Sequence, residues 1–202
     1  ITSATPIPSV YSLVAGSADK IMGISPSAMA TAENSMLCRL FPSITEARTD
    51  FMNGSDINVE EIIAMDPDVI FYKAQNTEEY EKLKATGIPA VGFSTNAWGT
   101  DILVTFENWV SLLGDVLGKE SKASGIAEYG RKTYDMIQAR LEEAGESLEK
   151  PSIMFIYSYR NGTILTSGSK HWGQYWCDTV GAVNIAGELD AKNPEVNMEQ
   201  IY

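Results

Sequence analysis

Histidine and cysteine are scarce in this chain, with a single His171 and two cysteines, Cys38 and Cys177. A metal site built by protein alone needs several His, Cys or carboxylate ligands at matched spacing, and no such set surrounds His171. No resident metal or other cofactor is therefore expected, and a metal would arrive only inside a bound chelate. Cys38 and Cys177 fall in different halves of the chain, which disfavours a disulfide on geometric grounds; both read as small buried hydrophobes. Basic residues are also few, 15 Lys and Arg against 27 Asp and Glu, for a formal net charge of −12. That balance argues against a nucleic-acid surface, which needs clustered cations. No apolar run reaches the ~18 residues that span a bilayer. No secretory leader is present, but Ile1 is an unusual natural start, which fits a leader either removed or left out of this sequence. Gly-x-Ser-x-Gly, Walker and Gly-x-Gly-x-x-Gly motifs and a His–carboxylate metal pair are all missing, which argues against an enzyme. Asp66 and Asp68 flank Pro67 and suit a helix-to-strand turn better than acid–base work.

What the chain has is a large apolar fraction, 44% of 202 residues, enough for one large or two small domains. It also has an internal echo. Asn58-Val59-Glu60-Glu61-Ile62 lines up with Asn197-Met198-Glu199-Gln200-Ile201, and each starts a helix. The first copy continues through Asp66-Pro67-Asp68 into an apolar strand, Val69 to Tyr72; the second ends at Tyr202. Two similar lobes are expected, the second incomplete.

Strands and helices alternate along the chain. Ile1 to Ser3 reads as a strand end, Ser9 to Ala15 as a helix behind Pro6 and Pro8, and Lys20 to Ser25 as a short strand. Helices are expected over Glu33–Phe41, Glu60–Met65 and Glu78–Ala85, with a strand at Ala90–Phe93. That order points to a parallel sheet packed by helices. Leu103, Phe106, Trp109, Val110 and Leu113 mark an amphipathic helix over Asp101–Leu117. Ser121–Gly145 reads as a long charged helix with Ile126, Tyr129, Thr133, Ile137 and Leu141 on one face. About 25 residues at 1.5 Å each make it roughly 37 Å long, a stiff connection. Beyond it come strands at Ile153–Tyr157 and Thr163–Thr166, a helix over His171–Thr179, and a turn into a strand at Gly181–Ile185. The expected fold class is α/β: two lobes with parallel-type sheets flanked by helices, residues 1–120 and 150–202, joined by a rigid helix over 121–149.

Ligands of parallel α/β lobes meet the carboxyl ends of strands and nearby helix starts. The segments expected there offer Tyr11, Tyr72, Lys73, Asn96, Trp98, Tyr159, Arg160, Lys170, His171, Trp172 and Tyr175. Such aromatic and cationic groups suit a large, partly apolar, anionic ligand. Plainer readings stand beside these. Tyr72 fits a core cap as well as a ligand contact, and Arg160 fits a plain surface residue. One of Trp172, Tyr175 and Trp176 is expected in the core, with Trp176 favoured. His171 could supply one axial bond to a chelated metal, though this is not the favoured reading.

Five segments carry a resemblance to a family: PSVYSLVAGSADKIMGIS, NVEEIIAMDPDVIF, LKATGIPAVGF, ENWVSLLGDVLGKESKA and TSGSKHWGQYWCDTVGAVNIAG. In order and spacing they are similar to the substrate-binding proteins of cobalamin and iron-siderophore ABC importers, whose two lobes are joined by one long helix. Ala182 replaces the second glycine of the family's Gly-Gly-x-Asn turn. Relative to that family the chain lacks the N-terminal lead-in and most of the second lobe. The resemblance implies an extracytoplasmic binding component, periplasmic or lipid-anchored, that takes a ferric siderophore, haem or corrinoid in an inter-lobe cleft. It further implies that Glu78 and Glu199 dock to arginines of the permease; the plain alternative is two solvated glutamates favoured by the helix dipole. The rival reading keeps the binding role but takes an oxyanion such as molybdate, with Ser9, Thr95 and Ser169 as candidate donors. An enzyme on the same fold is a more distant alternative.

Overall fold

The computed structural model describes residues 1–3, 6–145 and 149–201. Tyr202, the last residue of the echo, and residues 146–148 of the expected linker lie outside that set. The chain packs as two units. One comprises Ile1–Ala97 with Glu107–Ile126, the other Trp98–Phe106 with Ala127–Tyr202. The elements in order are α1 (Ile7–Ala15), α2 (Pro26–Glu33), α3 (Met36–Leu40), β1 (Met52–Asn53), β2 (Asp56–Ile57), α4 (Val59–Met65), β3 (Ile70–Lys73), α5 (Thr77–Lys84) and β4 (Ala90–Phe93). They continue with α6 (Ile102–Leu117), α7 (Glu120–Ala144), β5 (Ser152–Ile153), β6 (Ile156–Arg160), β7 (Thr163–Thr166), α8 (Trp172–Val180), β8 (Val183–Asn184) and β9 (Glu195–Asn197). No helix among the described residues is long and apolar enough to cross a membrane.

The first unit is organised around β3, which pairs in parallel with β4, Ile70 opposite Ala90 and Lys73 opposite Phe93. Residues 70, 71 and 72 are all buried, so β3 has no solvent face, as parallel strands covered on both sides require. Alternation sends Phe71 to one face, where Tyr11, Phe71, Phe93 and Trp109 form a chain of ring contacts with centroids 5.5–6.0 Å apart. Ile70 and Tyr72 go to the other face and pack with Phe51, Ile62 and Leu83. The turn between α4 and β3 needs Asp66 in the left-handed region, φ 51°, a conformation that Asp tolerates better than most residues. Helices α6 and α7 meet closely at Gly114, where an added Cβ would stand 2.6 Å from that of Ala123.

The second unit combines two sheets. Strands β5 and β8 pair in parallel, while β6, β7 and β9 form an antiparallel sheet in that order. The alternation of strands and helices did not reveal the antiparallel sheet. Its hairpin is carried by Asn161 and Gly162, both at positive φ, the Asn-Gly signal of a tight two-residue turn. The echo does recur locally. Asn58 follows β2 and caps α4 through bonds from the Glu60 and Glu61 N–H groups, and Asn197 ends β9 and forms a capping box with Gln200.

Four expectations change. Lys20–Ser25 forms only one isolated bridge, Gly23 to Arg48, because Ser25 already caps α2 and Pro26 begins it. The helix expected over Glu33–Phe41 breaks at Ser35, whose hydroxyl caps α3, and α2 precedes it. On α7, Tyr129 is 76% exposed, and Gly130 instead lies under Leu103 and Phe106. Both cysteines are free, and Cys38 is only half-buried.

Leu83, fully buried in the cluster beneath β3, tests this packing. Leu83→Ala is expected to lower stability by about 2–5 kcal/mol, measured by urea unfolding; a loss below ~1 kcal/mol would contradict the described core.

Candidate ligand-binding site

At the carboxyl ends of β3 and β4 the first unit presents a polar cluster. The Gln75 amide donates to Ser94 Oγ at 2.8 Å and to Asn96 Oδ1 at 2.5 Å, and the Ala97 N–H reaches Ser94 Oγ at 3.0 Å. Asn96 and Lys73 are exposed there. Tyr11 and Tyr72 are not. Tyr11 is 6% exposed in the aromatic chain, and Tyr72, 8% exposed, stacks on Tyr80 at 5.5 Å. Burial raises the phenol pKa of each. Both belong to the core, so for Tyr72 the core reading describes its place.

The second unit assembles a different surface. A β-bulge between Ile156 and Ser158 of β6 inserts Tyr157 and re-aims its ring. Tyr157 Oη lies 2.7 Å from His171 Nδ1. The rings of Phe155, Tyr157, His171 and Trp172 meet with centroids 5.1–5.5 Å apart, mostly edge to face. His171 occupies the N-cap of α8, yet its side chain makes no cap bond. At other helix starts Ser25, Ser35, Asn58, Asn76 and Asn197 all cap with their own side chains. Here Ser167 does the work from outside the helix: its Oγ accepts the Gly173 N–H at 3.1 Å. That leaves the imidazole free to lean on Tyr157. Gly173 is required, because an added Cβ would overlap Ser167 and Phe155.

A buried amide fixes this arrangement. Asn184 Nδ2 donates to the Ser167 carbonyl at 3.0 Å and to Gln174 Oε1 at 3.1 Å, while its Oδ1 accepts the Ala186 N–H at 3.1 Å. The Asn of the Gly-Ala-Val-Asn turn thus ties the loop before α8 to the helix itself. The half-buried imidazole has its pKa lowered, first by desolvation and then by the nearby Lys192 charge.

Most of the other predicted residues are spread over the second unit. Tyr159, 62% exposed, and Arg160 stand by the β6–β7 turn. Lys170 is paired with Asp190 at 2.7 Å. Tyr175 Oη accepts the Leu103 N–H at 3.3 Å, and Trp98 is 37% exposed. Trp176, favoured for the core, is 40% exposed; Cys177 takes the buried position on α8 instead, because the core face falls one residue later. Glu78 and Glu199 are exposed, and Glu78 pairs with Lys82 at 3.2 Å. Of the oxyanion candidates, Ser169 spends its hydroxyl on the Leu189 carbonyl at 3.2 Å. Among the described residues no three His, Cys, Asp or Glu form a group able to hold a metal ion.

The first unit also holds a cavity of about 310 Å³ beside Lys20, Met22, Val69 and Ile70. It opens at the amino end of β3, opposite to where ligands of such sheets sit, and of the candidates contains only Tyr11. We do not assign the ligand site there.

The sequence pattern of the periplasmic binding protein family matches residues 1–202. The chain belongs to that family. It is 30% identical over 152 residues to the vitamin B12-binding protein of Vibrio campbellii, covering 74% of this chain and 51% of that one. A periplasmic solute binding protein from Veillonella parvula shares 29% identity with a TM-score of 0.80, over 98% of this chain and 58% of that one. The molybdate periplasmic binding protein MolA of Haemophilus influenzae matches the fold with a TM-score of 0.77 at 16% identity, over 98% of this chain and 64% of that one. The chain spans about half the length of the curated relatives it matches. As a periplasmic binding protein it has the two-lobe α/β architecture of the cobalamin and iron-siderophore type inferred from its five segments.

Sequence reasoning missed Tyr157, Ser167 and Asn184 as site residues. The Asn-Gly turn at 161–162 signals the hairpin, but the register it sets, from Arg160 opposite Thr163 to Ser158 opposite Leu165, breaks at Tyr157 in a bulge that no residue type marks. Because His171 is the sole histidine, its titration can be read without ambiguity by NMR. Its midpoint is expected below the ordinary 6.5, and Lys192→Gln is expected to raise it. The unfolded chain then takes up the proton first, so this group leaves stability untouched above pH 6.5 and erodes it as pH falls below. A midpoint at or above 6.5 would contradict the described environment.

Proposed function

We propose that this chain is part of the extracytoplasmic binding component of an ABC importer and that its cargo is a metal chelate, such as a ferric siderophore, haem or corrinoid. The observation that carries the reading is the aromatic wall of Tyr157, His171 and Trp172 at the start of α8, with Lys192 beside it. Rigid rings offer contact area to a large, partly apolar ligand, and a cation favours one that carries carboxylate or catecholate oxygens. Similarity to a vitamin B12-binding protein at 30% identity supports the same class. The step is binding and hand-over, and no bond is made or broken. The fold alone does not choose the cargo, since a molybdate-binding protein shares it.

Titration of intrinsic tryptophan fluorescence with ferric siderophores, haem, cobalamin and molybdate tests the proposal. Saturable quenching by one of the chelates is expected, with most of the signal lost in Trp172→Phe. Response to molybdate alone would move the assignment to an oxyanion. Silence across the panel from folded protein would overturn the chelate reading.

Permease docking belongs to the same proposal. Glu78, in an exposed ion pair with Lys82, and Glu199 are carboxylates at helix starts that can exchange or add charge-assisted pairing with basic residues of a partner. Glu78→Ala and Glu199→Ala are expected to lower uptake in a reconstituted importer while leaving ligand affinity unchanged. Unimpaired uptake by the double variant would remove these residues from the docking role.

A further inference from the structure

Resting on the chelate reading, we infer that His171 Nε2 ligates the metal of the cargo, and that the cargo is therefore a planar macrocyclic chelate with an open axial position. Three observations lead there. The imidazole is anchored at one nitrogen only: Nδ1 contacts Tyr157 Oη at 2.7 Å and Ser167 Oγ at 3.4 Å, and no bond among the described residues occupies Nε2. The anchor is a hydroxyl, which can donate or accept. When it accepts the Nδ1 proton, the Nε2 lone pair is free, the arrangement by which metal-ligating histidines are oriented. Finally, the anchoring is built in. The bulge aims Tyr157, Asn184 holds the Ser167 loop, Ser167 caps α8 in place of His171, and Gly173 keeps the contact close.

The rings around the imidazole narrow the ligand class. Tyr157 and Trp172 flank His171, so the metal approaches over an apolar, aromatic surface. A flat macrocycle can cover that surface while presenting its metal to Nε2. A ferric chelate whose six positions are filled by oxygen has no site for the imidazole. Ligation is a simple Lewis pairing: the Nε2 lone pair fills the open axial position, displacing water, with no change of oxidation state.

Ferric protoporphyrin and diaquocobinamide, each with exchangeable axial positions, are the probes. Wild-type protein is expected to shift their visible spectra to those of nitrogen-ligated complexes. His171→Ala is expected to lose the shift, and added imidazole to restore it. Tyr157→Phe keeps the ring but removes the anchor, and should weaken binding about 10- to 100-fold, in the range found for such supporting partners. Circular dichroism checks that each variant is folded. Binding without a spectral shift, or a shift that survives His171→Ala, overturns the axial role and leaves the chelate reading intact. Absence of quenching by any chelate overturns the chelate reading, and the axial role with it.

Discussion

Strand β3 has nowhere to put a polar side chain until Lys73, and the first unit is arranged around that constraint. A strand buried on both faces must be paired along its edges and covered above and below. Phe71 reaches Tyr11 and Phe93 on one side, and Tyr72 joins Leu83 and Phe51 on the other. Each cover brings its own supports. Trp109 packs edge-on against Phe93 and donates its indole N–H to the Ser94 carbonyl at 2.8 Å, fixing the loop after β4 that carries Asn96, to which Gln75 of the β3–α5 loop donates. The polar cluster at the carboxyl end of the strands is thus held from beneath by an apolar stack.

The second unit reaches order by another route. Its core offers fewer fully buried apolar side chains, and buried polar groups carry more of the specification. Ser167 is fully buried and Asn184 nearly so, and both are hydrogen-bonded. A buried amide that satisfies several partners allows little freedom, because an unmade bond there costs about 1–3 kcal/mol. Polar fixing defines distances more sharply than apolar packing, and here it sets the loop and helix start that place His171 beside Tyr157.

The fold was legible where periodicity was strong. β3, β4, α5, α6 and α7 follow from apolar spacing, and the five family-like segments placed them in a two-lobe architecture. Short elements were not legible. The SAMATA stretch of α2 has no large apolar stripe, and its Ser25-Pro26 start was the only sign. At the site, residue type pointed to His171 and Trp172, which the structure does bring together. Residue type could not separate core from surface for Tyr11, Tyr72 and Trp176, because a Tyr or Trp near a strand end or on a helix serves both alike. Tyr157 was hidden for a different reason: no residue identity announces a bulge, which depends on how two strands are counted against each other.

That counting has a consequence of its own. Along β6 the sum of paired residue numbers changes by one across the bulge, from Ile156 with Thr166 to Ser158 with Leu165. The bulge acts as a phase slip, and the side-chain parity of everything upstream is reversed relative to everything downstream. The aim of Tyr157 is therefore written in chain length as well as in side chains. Substitutions that keep the length leave the phase alone, whereas deleting one residue would restore strict alternation and swing the strand's upstream side chains to the opposite face. Gain or loss of a single residue in β6 would thus reset which face each upstream side chain meets, a change that substitution at constant length does not make.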